Sequence, residues 1–189
     1  PYTTNYNRGI NISVGDIEND GTVEIVTGTE SGGGPHVRVF NGDGVLINPG
    51  FFAYAESFRG GVNVAIGDLN GDNIKEIITG AGVGGGPHVR VFKKDWTLIN
   101  PGFFAYDPAF RGGAHVAVGD VDGDLIDDIV TGPGLGGSPL ARIYDRDGRL
   151  KNEFYVFDST DRDWLEVVTS DIDRDGFAEI IGLTADVFT

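Results

Sequence analysis

A repeat of 52 residues constrains this chain more than any other feature. Residues 34–40 read GPHVRVF and so do residues 86–92; residues 46–54 read LINPGFFAY and so do residues 98–106. Asp16, Asp68 and Asp120 keep the same step of 52, and Asp171 follows after 51. Tyr2, Tyr54, Tyr106 and Phe157 mark the same register. The 189 residues therefore hold three units and the first half of a fourth, over residues 9–55, 61–107, 113–158 and 164–189. A fixed period of this length means copies of one supersecondary unit, each burying its apolar face on the next.

Within a unit the apolar residues alternate with period two, which puts them on one face of a pleated strand. The second unit reads as four strands, at residues 62–67, 75–81, 87–93 and 97–105. Asp43-Gly44 and Asp147-Gly148 fall between the third and fourth runs, where Asp-Gly signals a hairpin and hence antiparallel pairing. With 31 glycines, 8 prolines and no methionine, the composition favours short strands and tight turns over helices. The fold class is all-β, and four antiparallel strands repeated at this spacing read as the blades of a β-propeller. Ala65, Gly67, Ala117 and Gly119 alternate with Val64, Ile66, Val116 and Val118 along the first strand, small enough for an innermost position near an axis.

The formal net charge is −15 and the sequence pI about 4.3. Such a chain repels a phosphate backbone, so nucleic acid is excluded as a partner while cations are favoured. Cysteine is absent, which removes disulfides and thiolate metal sites but leaves the compartment open. No apolar run reaches the length of a membrane span. The chain opens at Pro1 without a leader, as a segment processed or excised from something longer would.

Between the first and second strand of each unit lies a nine-residue loop with oxygen-bearing side chains at positions 1, 3, 5 and 9. These are Asp16, Glu18, Asp20 and Glu24; Asp68, Asn70, Asp72 and Glu76; Asp120, Asp122, Asp124 and Asp128; and Asp171, Asp173, Asp175 and Glu179. Thr22, Ile74, Ile126 and Phe177 at position 7 offer a backbone carbonyl. A hard cation such as Ca²⁺ takes six to eight oxygens, which one tight loop of this kind can largely supply. The named positions of the loops hold 15 of the 29 acidic residues, whose mutual repulsion a cation would relieve. Up to four Ca²⁺ ions are expected, and they would bring the formal charge from −15 to −7. An EF-hand is excluded, because position 12 is Thr27, Thr79, Thr131 or Gly182 instead of Glu. The second loop has only three carboxylates and adds Lys75, and the third has Leu125 where Gly21 and Gly176 ease the turn. On sequence, the first and fourth loops rank as better formed.

These loops, with Gly-Asp before them and an apolar-Thr-Gly run after, resemble the FG-GAP or integrin-α repeat. The likeness is nearest to bacterial repeats carrying GGGPHVRVF and FFAYDPAFRGG, seen here at residues 84–92 and 103–113. The resemblance implies a propeller, commonly of seven blades, with Ca²⁺ held by the sixteen side chains above. It also implies a non-catalytic adhesive, glycan-binding or scaffolding role on a secreted or cell-surface protein. Three and a half blades leave strand edges open, which calls for remaining blades in a longer chain, a homodimer, or another cover. The partners expected are an extracellular protein or a glycan. Two alternatives to the adhesive module stay open: a glycan-binding lectin, and an accessory domain of an extracellular hydrolase or lyase.

Other signals point nowhere catalytic. Residues 80–85 and 132–137 match GxGxxG, but a strand follows each, so no helix N-terminus meets a pyrophosphate. His36 and His88 share a repeat position that Leu140 fills in the third unit, and His115 stands alone, so no acid/base constellation assembles. Phe51, Phe52, Phe103, Phe104, Phe154 and Tyr155 suit packing between blades or stacking on sugars. Arg59 and Arg111 read as loop residues.

Overall fold

The computed structural model describes residues 6–184; Tyr2, and residues 185–189 of the fourth unit, lie outside the described residues. Four antiparallel sheets follow one another along the chain, with no helix among the described residues. The first pairs β1 (Ile10–Gly15), β2 (Glu24–Thr29), β3 (His36–Asn41) and β4 (Leu46–Phe52) in order. The second pairs β5 (Val62–Gly67), β6 (Glu76–Ala81), β7 (His88–Phe92) and β8 (Leu98–Phe104), within one residue of the strands expected from sequence. The third pairs β9 (Ala114–Gly119), β10 (Asp128–Pro133), β11 (Leu140–Tyr144) and β12 (Leu150–Tyr155). The fourth is a two-stranded ribbon, β13 (Glu166–Ser170) with β14 (Glu179–Leu183).

Each sheet is a meander, so the connections β1–β2 and β3–β4 lie at the same end, and likewise in the later sheets. The Asp-Gly turns carry Gly44 and Gly148 at φ of 78° and 84°. The second sheet has Trp96 at that place with φ 72°, a conformation costly for a bulky residue. Its indole packs on Phe51 of the preceding sheet, ring centroids 5.3 Å apart, which offsets the cost.

The sheets meet through their first strands. β1, β5, β9 and β13 together line a groove of about 310 Å³, so the small residues of these strands do sit where strands crowd. Gly28, Gly80 and Gly132, of the Thr-Gly pair ending each second strand, show how close the sheets come. A Cβ there would lie 2.3, 2.3 and 2.0 Å from the carbonyl oxygens of Val62, Ala114 and Leu165 in the next sheet. Only glycine permits that approach.

Polar bonds repeat at the same seams. The Tyr54 hydroxyl lies between the Thr79 and His88 carbonyl oxygens, at 3.0 and 2.6 Å. Tyr106 repeats this at Thr131 and Leu140, at 2.9 and 2.7 Å. Arg90 and Arg142 donate back to the carbonyls of Ala53 and Ala105 at 2.7 and 2.8 Å. Each guanidinium carbon stands 5.1 Å from the centroid of the tyrosine ring it covers. Asn11 donates to Val62 O and Asn63 to Ala114 O, at 2.9 and 2.7 Å. Phe51 packs on Phe92 and Phe103 on Tyr144, with centroids 4.7 and 4.8 Å apart. Apolar clusters fill the spaces between, around Val26, Val37 and Ile77, then Ile78, Val89 and Ile129, then Val130, Ala141 and Leu165.

The two outermost sheets bare apolar side chains. Ile12 and Val14 of β1 are 55% and 58% exposed, and Val168 of β13 and Leu183 of β14 are 42% and 48% exposed.

Candidate metal centre

All four acidic loops connect a first strand to a second at the same end of their sheets, and a common frame builds each one. The position-1 aspartate accepts backbone amides from within the loop. Asp16 takes those of Asp20 and Gly21 at 3.1 and 2.8 Å, and Asp120 those of Gly123 and Leu125 at 2.7 and 2.9 Å. Asp171 takes those of Arg174 and Gly176 at 2.7 and 3.2 Å. Asp68 is met by four such amides, including Gly71 at 2.8 Å and Asn73 at 2.7 Å. Burial works to raise the Asp68 pKa, but these donors outweigh it and hold the carboxyl below its usual value.

The position-5 carboxylate caps the amide two residues on. Asp20, Asp72, Asp124 and Asp175 accept from Thr22, Ile74, Ile126 and Phe177 at 2.8 to 2.9 Å. Those bonds engage the position-7 amides, leaving the carbonyl oxygens as the backbone groups a cation could use. The position-9 residue opens the second strand and reaches back. Glu24, Glu76 and Glu179 accept from the position-2 amides of Ile17, Leu69 and Ile172, at 2.9, 2.9 and 2.7 Å. Positions 4 and 6 turn the chain left-handed, at Asn19 and Gly21, Gly71 and Asn73, Gly123 and Leu125, and Arg174 and Gly176. Leu125 does so at φ 67° while 85% exposed, so packing returns little for the strain.

On this shared frame the loops differ in what faces their centre. In the first, Glu18 is drawn out to Lys94 of the second sheet, at 3.1 Å on the surface. In the second, the Asn70 amide nitrogen donates to Glu76 Oε1 at 2.7 Å, so a metal there needs the amide turned over to present its oxygen. Burial raises the Glu76 pKa.

The third and fourth loops gather carboxylates. One oxygen from each of Asp120, Asp122 and Asp128 lies within 4.8 Å of the others, and the same holds for Asp171, Asp173 and Glu179. Oxygens that share a Ca²⁺ at about 2.3–2.6 Å stand at most about 5.2 Å apart, so this spacing suits a shared ion. The fourth loop fits such an ion, with three carboxylates converging in an exposed turn and only backbone amides, no side-chain amide or ammonium, among their described bonded partners. The third loop contains an ammonium already. Lys151 Nζ lies 2.6 Å from Asp122 Oδ2, 2.6 Å from Asp128 Oδ1 and 3.7 Å from Asp124 Oδ2. Burial lowers the Lys151 pKa, but hydrogen bonds to Asp122 and Asp128 outweigh that and raise it. Asp128 is raised by burial, partly offset by Lys151.

The loops ranked first on sequence were the first and fourth, whereas the carboxylates converge in the third and fourth. Sequence reasoning passed over Lys151, although Ile47 and Ile99 hold its place in the first two units and a lysine breaking an apolar register was a visible signal. It also used the tyrosines only as markers. Loop-to-loop bonds link the four centres: Lys75 N donates to Ile17 O, Asp127 N to Asp68 O and Ala178 N to Asp120 O, at 3.0, 2.9 and 2.7 Å.

Most of the remaining polar and aromatic candidates have structural partners, whereas Phe154 and Tyr155 are 39% and 54% exposed. His36 stacks on Phe52 and His88 packs tilted against Phe104, centroids 4.8 Å apart in both cases. Arg111 holds its own turn through the carbonyls of Pro108 and Phe110, as Arg59 does through those of Glu56 and Phe58. Both GxGxxG stretches run from strand to strand through a turn.

No family model and no curated protein matches the sequence. Solved structures share the fold, two lyases among them. The exotype rhamnogalacturonan lyase YesX aligns with a TM-score of 0.56 at 18% identity, covering 90% of this chain and 38% of the lyase. The rhamnogalacturonan lyase YesW aligns with a TM-score of 0.54 at 16% identity, covering 90% and 39%. The chain thus spans well under half the length of the enzymes it is similar to, and at such identity the likeness is one of fold.

Proposed function

We propose that this chain is a segment of a calcium-binding β-propeller and serves as a non-catalytic module of a larger extracellular protein. The observation that carries this reading is the convergence of Asp171, Asp173 and Glu179 in a loop whose frame recurs at one end of every sheet. First strands around a common groove and bared apolar faces on the outermost sheets support a propeller completed by further blades or by a second copy. Calcium bound by the native state alone stabilises it by mass action. Exposed carboxylates in a short loop favour the weak end of calcium affinity, on the order of 10⁻⁴ to 10⁻³ M. The expected outcome is a melting temperature that falls on chelation and recovers with excess Ca²⁺, measured by circular dichroism. Identical melting curves in both conditions would remove the calcium reading.

Among roles for such a module, the likeness to two lyases supports an accessory domain of an extracellular lyase or hydrolase over an adhesive domain or a free-standing lectin. The chemistry would then reside outside these residues, consistent with three histidines of which two pack against phenylalanines. Rhamnogalacturonan retained by the chain in affinity electrophoresis, with no unsaturated product formed, is the expected result. Cleavage by the isolated chain would overturn the non-catalytic role.

A further inference from the structure

We infer that Lys151 is a built-in cation that takes the place of calcium in the third loop, so that this sheet is neutralised at its acidic corner without metal. The inference rests on the calcium reading of the other loops and adds that the sites are unequal by construction.

The strand register isolates the lysine. Leu98 of β8 pairs with Phe92 and Asn100 with Val91, as Leu150 of β12 pairs with Tyr144 and Asn152 with Ile143. Ile99 and Lys151 therefore occupy one position, at the start of the fourth strand and at the same end of the sheet as the acidic loop. Ile99 lines a cavity with Asn70, Asp72 and Glu76 of the second loop. From the equivalent place Lys151 reaches the corresponding third-loop residues, Asp122, Asp124 and Asp128.

The lysine is held as a ligand would be. Its side chain is only 29% exposed and that of Asp128 is 3% exposed, so neither is a free surface charge. Two contacts of 2.6 Å are charge-assisted hydrogen bonds at the short end of their range. A divalent ion between Asp122 and Asp128 would have to displace the ammonium or face it within a few ångströms, against strong like-charge repulsion in a partly dry site. Asp128 also differs from its counterparts. It is one methylene shorter than Glu24, Glu76 and Glu179, and its Oδ2 is buried with no hydrogen-bond partner. Removing the lysine would thus leave two carboxylates without their cation, one of them carrying a buried oxygen that already has no hydrogen-bond partner.

Equilibrium dialysis against calcium tests this. Lys151→Ile, the residue found in the first two sheets, is expected to raise the number of bound ions by one, and Lys151→Ile/Asp128→Asn to cancel the gain. In chelator, Lys151→Ile should melt below the parent, because the ammonium is gone and nothing replaces it. Should the variant not fold, the parent background decides: Asp122→Asn is expected to leave the ion count unchanged while Asp173→Asn lowers it by one. An equal count in the parent and a folded Lys151→Ile variant, with at least one ion bound, would overturn the role of Lys151 and leave the calcium reading standing, as would a count lowered by Asp122→Asn. No bound calcium in any of these proteins would overturn the calcium reading and this inference with it.

Discussion

The seams between sheets and the acidic corners of the same sheets have followed opposite rules. At the seams, Tyr54 with Arg90 and Tyr106 with Arg142 make nearly identical contacts at the first two junctions, and Gly28, Gly80 and Gly132 do so at all three. At the corners no two loops agree: one lends Glu18 to a neighbouring lysine, one turns an amide inward, one holds Lys151, and one leaves its carboxylates open. The seam tolerates little because a carbonyl of the next sheet sits where any Cβ would go, so a change there must move a whole sheet. A corner is an exposed turn whose amide bonds to positions 1, 5 and 9 hold its shape, leaving the central charge free to be met in different ways. Geometry is therefore set at the seams, and the corners tune how much of the stability is metal-dependent.

That contrast gives predictions with different signatures. Tyr106→Ala removes a ring packed between sheets and two bonds to carbonyls, and should cost about 3 kcal/mol, equally in calcium and in chelator. A loss confined to calcium would break the separation of seam from corner. Asp173→Asn should do the reverse, abolishing the fourth loop's share of the calcium-dependent stability, about 2.7 kcal/mol at a hundredfold excess over Kd, and changing nothing in chelator. Leu125→Gly relieves a left-handed leucine and should stabilise by about 1 kcal/mol whether or not calcium is present, as urea melts would show. The smallest effect is one of pH. Burial lowers the pKa of His36, His88 and His115, so the folded state binds fewer protons than the unfolded chain. Their contribution is present above the unfolded value of about 6.5 and lost as pH falls through the lower folded values. Melts at pH 7.5 and 5 should show the decline, and His115→Gln should lessen it.

Much of this molecule could be read from its sequence, because a repeat shows every strand more than once. The strands of the second unit, the all-β class and the strand-opening position of Glu24, Glu76, Asp128 and Glu179 follow from period-two alternation and the 52-residue step. The corner centres were less legible. Which carboxylates converge depends on side chains from outside the loop, such as Lys94 on Glu18 and Lys151 on Asp128, and loop spacing carries no information about them. Trp96 in the place of a turn glycine had its reason in Phe51 of another sheet. The tyrosines announced themselves by recurrence, but their pinning of neighbouring backbones required the packed sheets.

Anomalous diffraction from a crystal grown in calcium tests the account most directly. It predicts a peak bounded by Asp171, Asp173 and Glu179, with ordinary lysine density between Asp122 and Asp128. A fourth corner without an anomalous peak, under calcium well above the millimolar range, would contradict it.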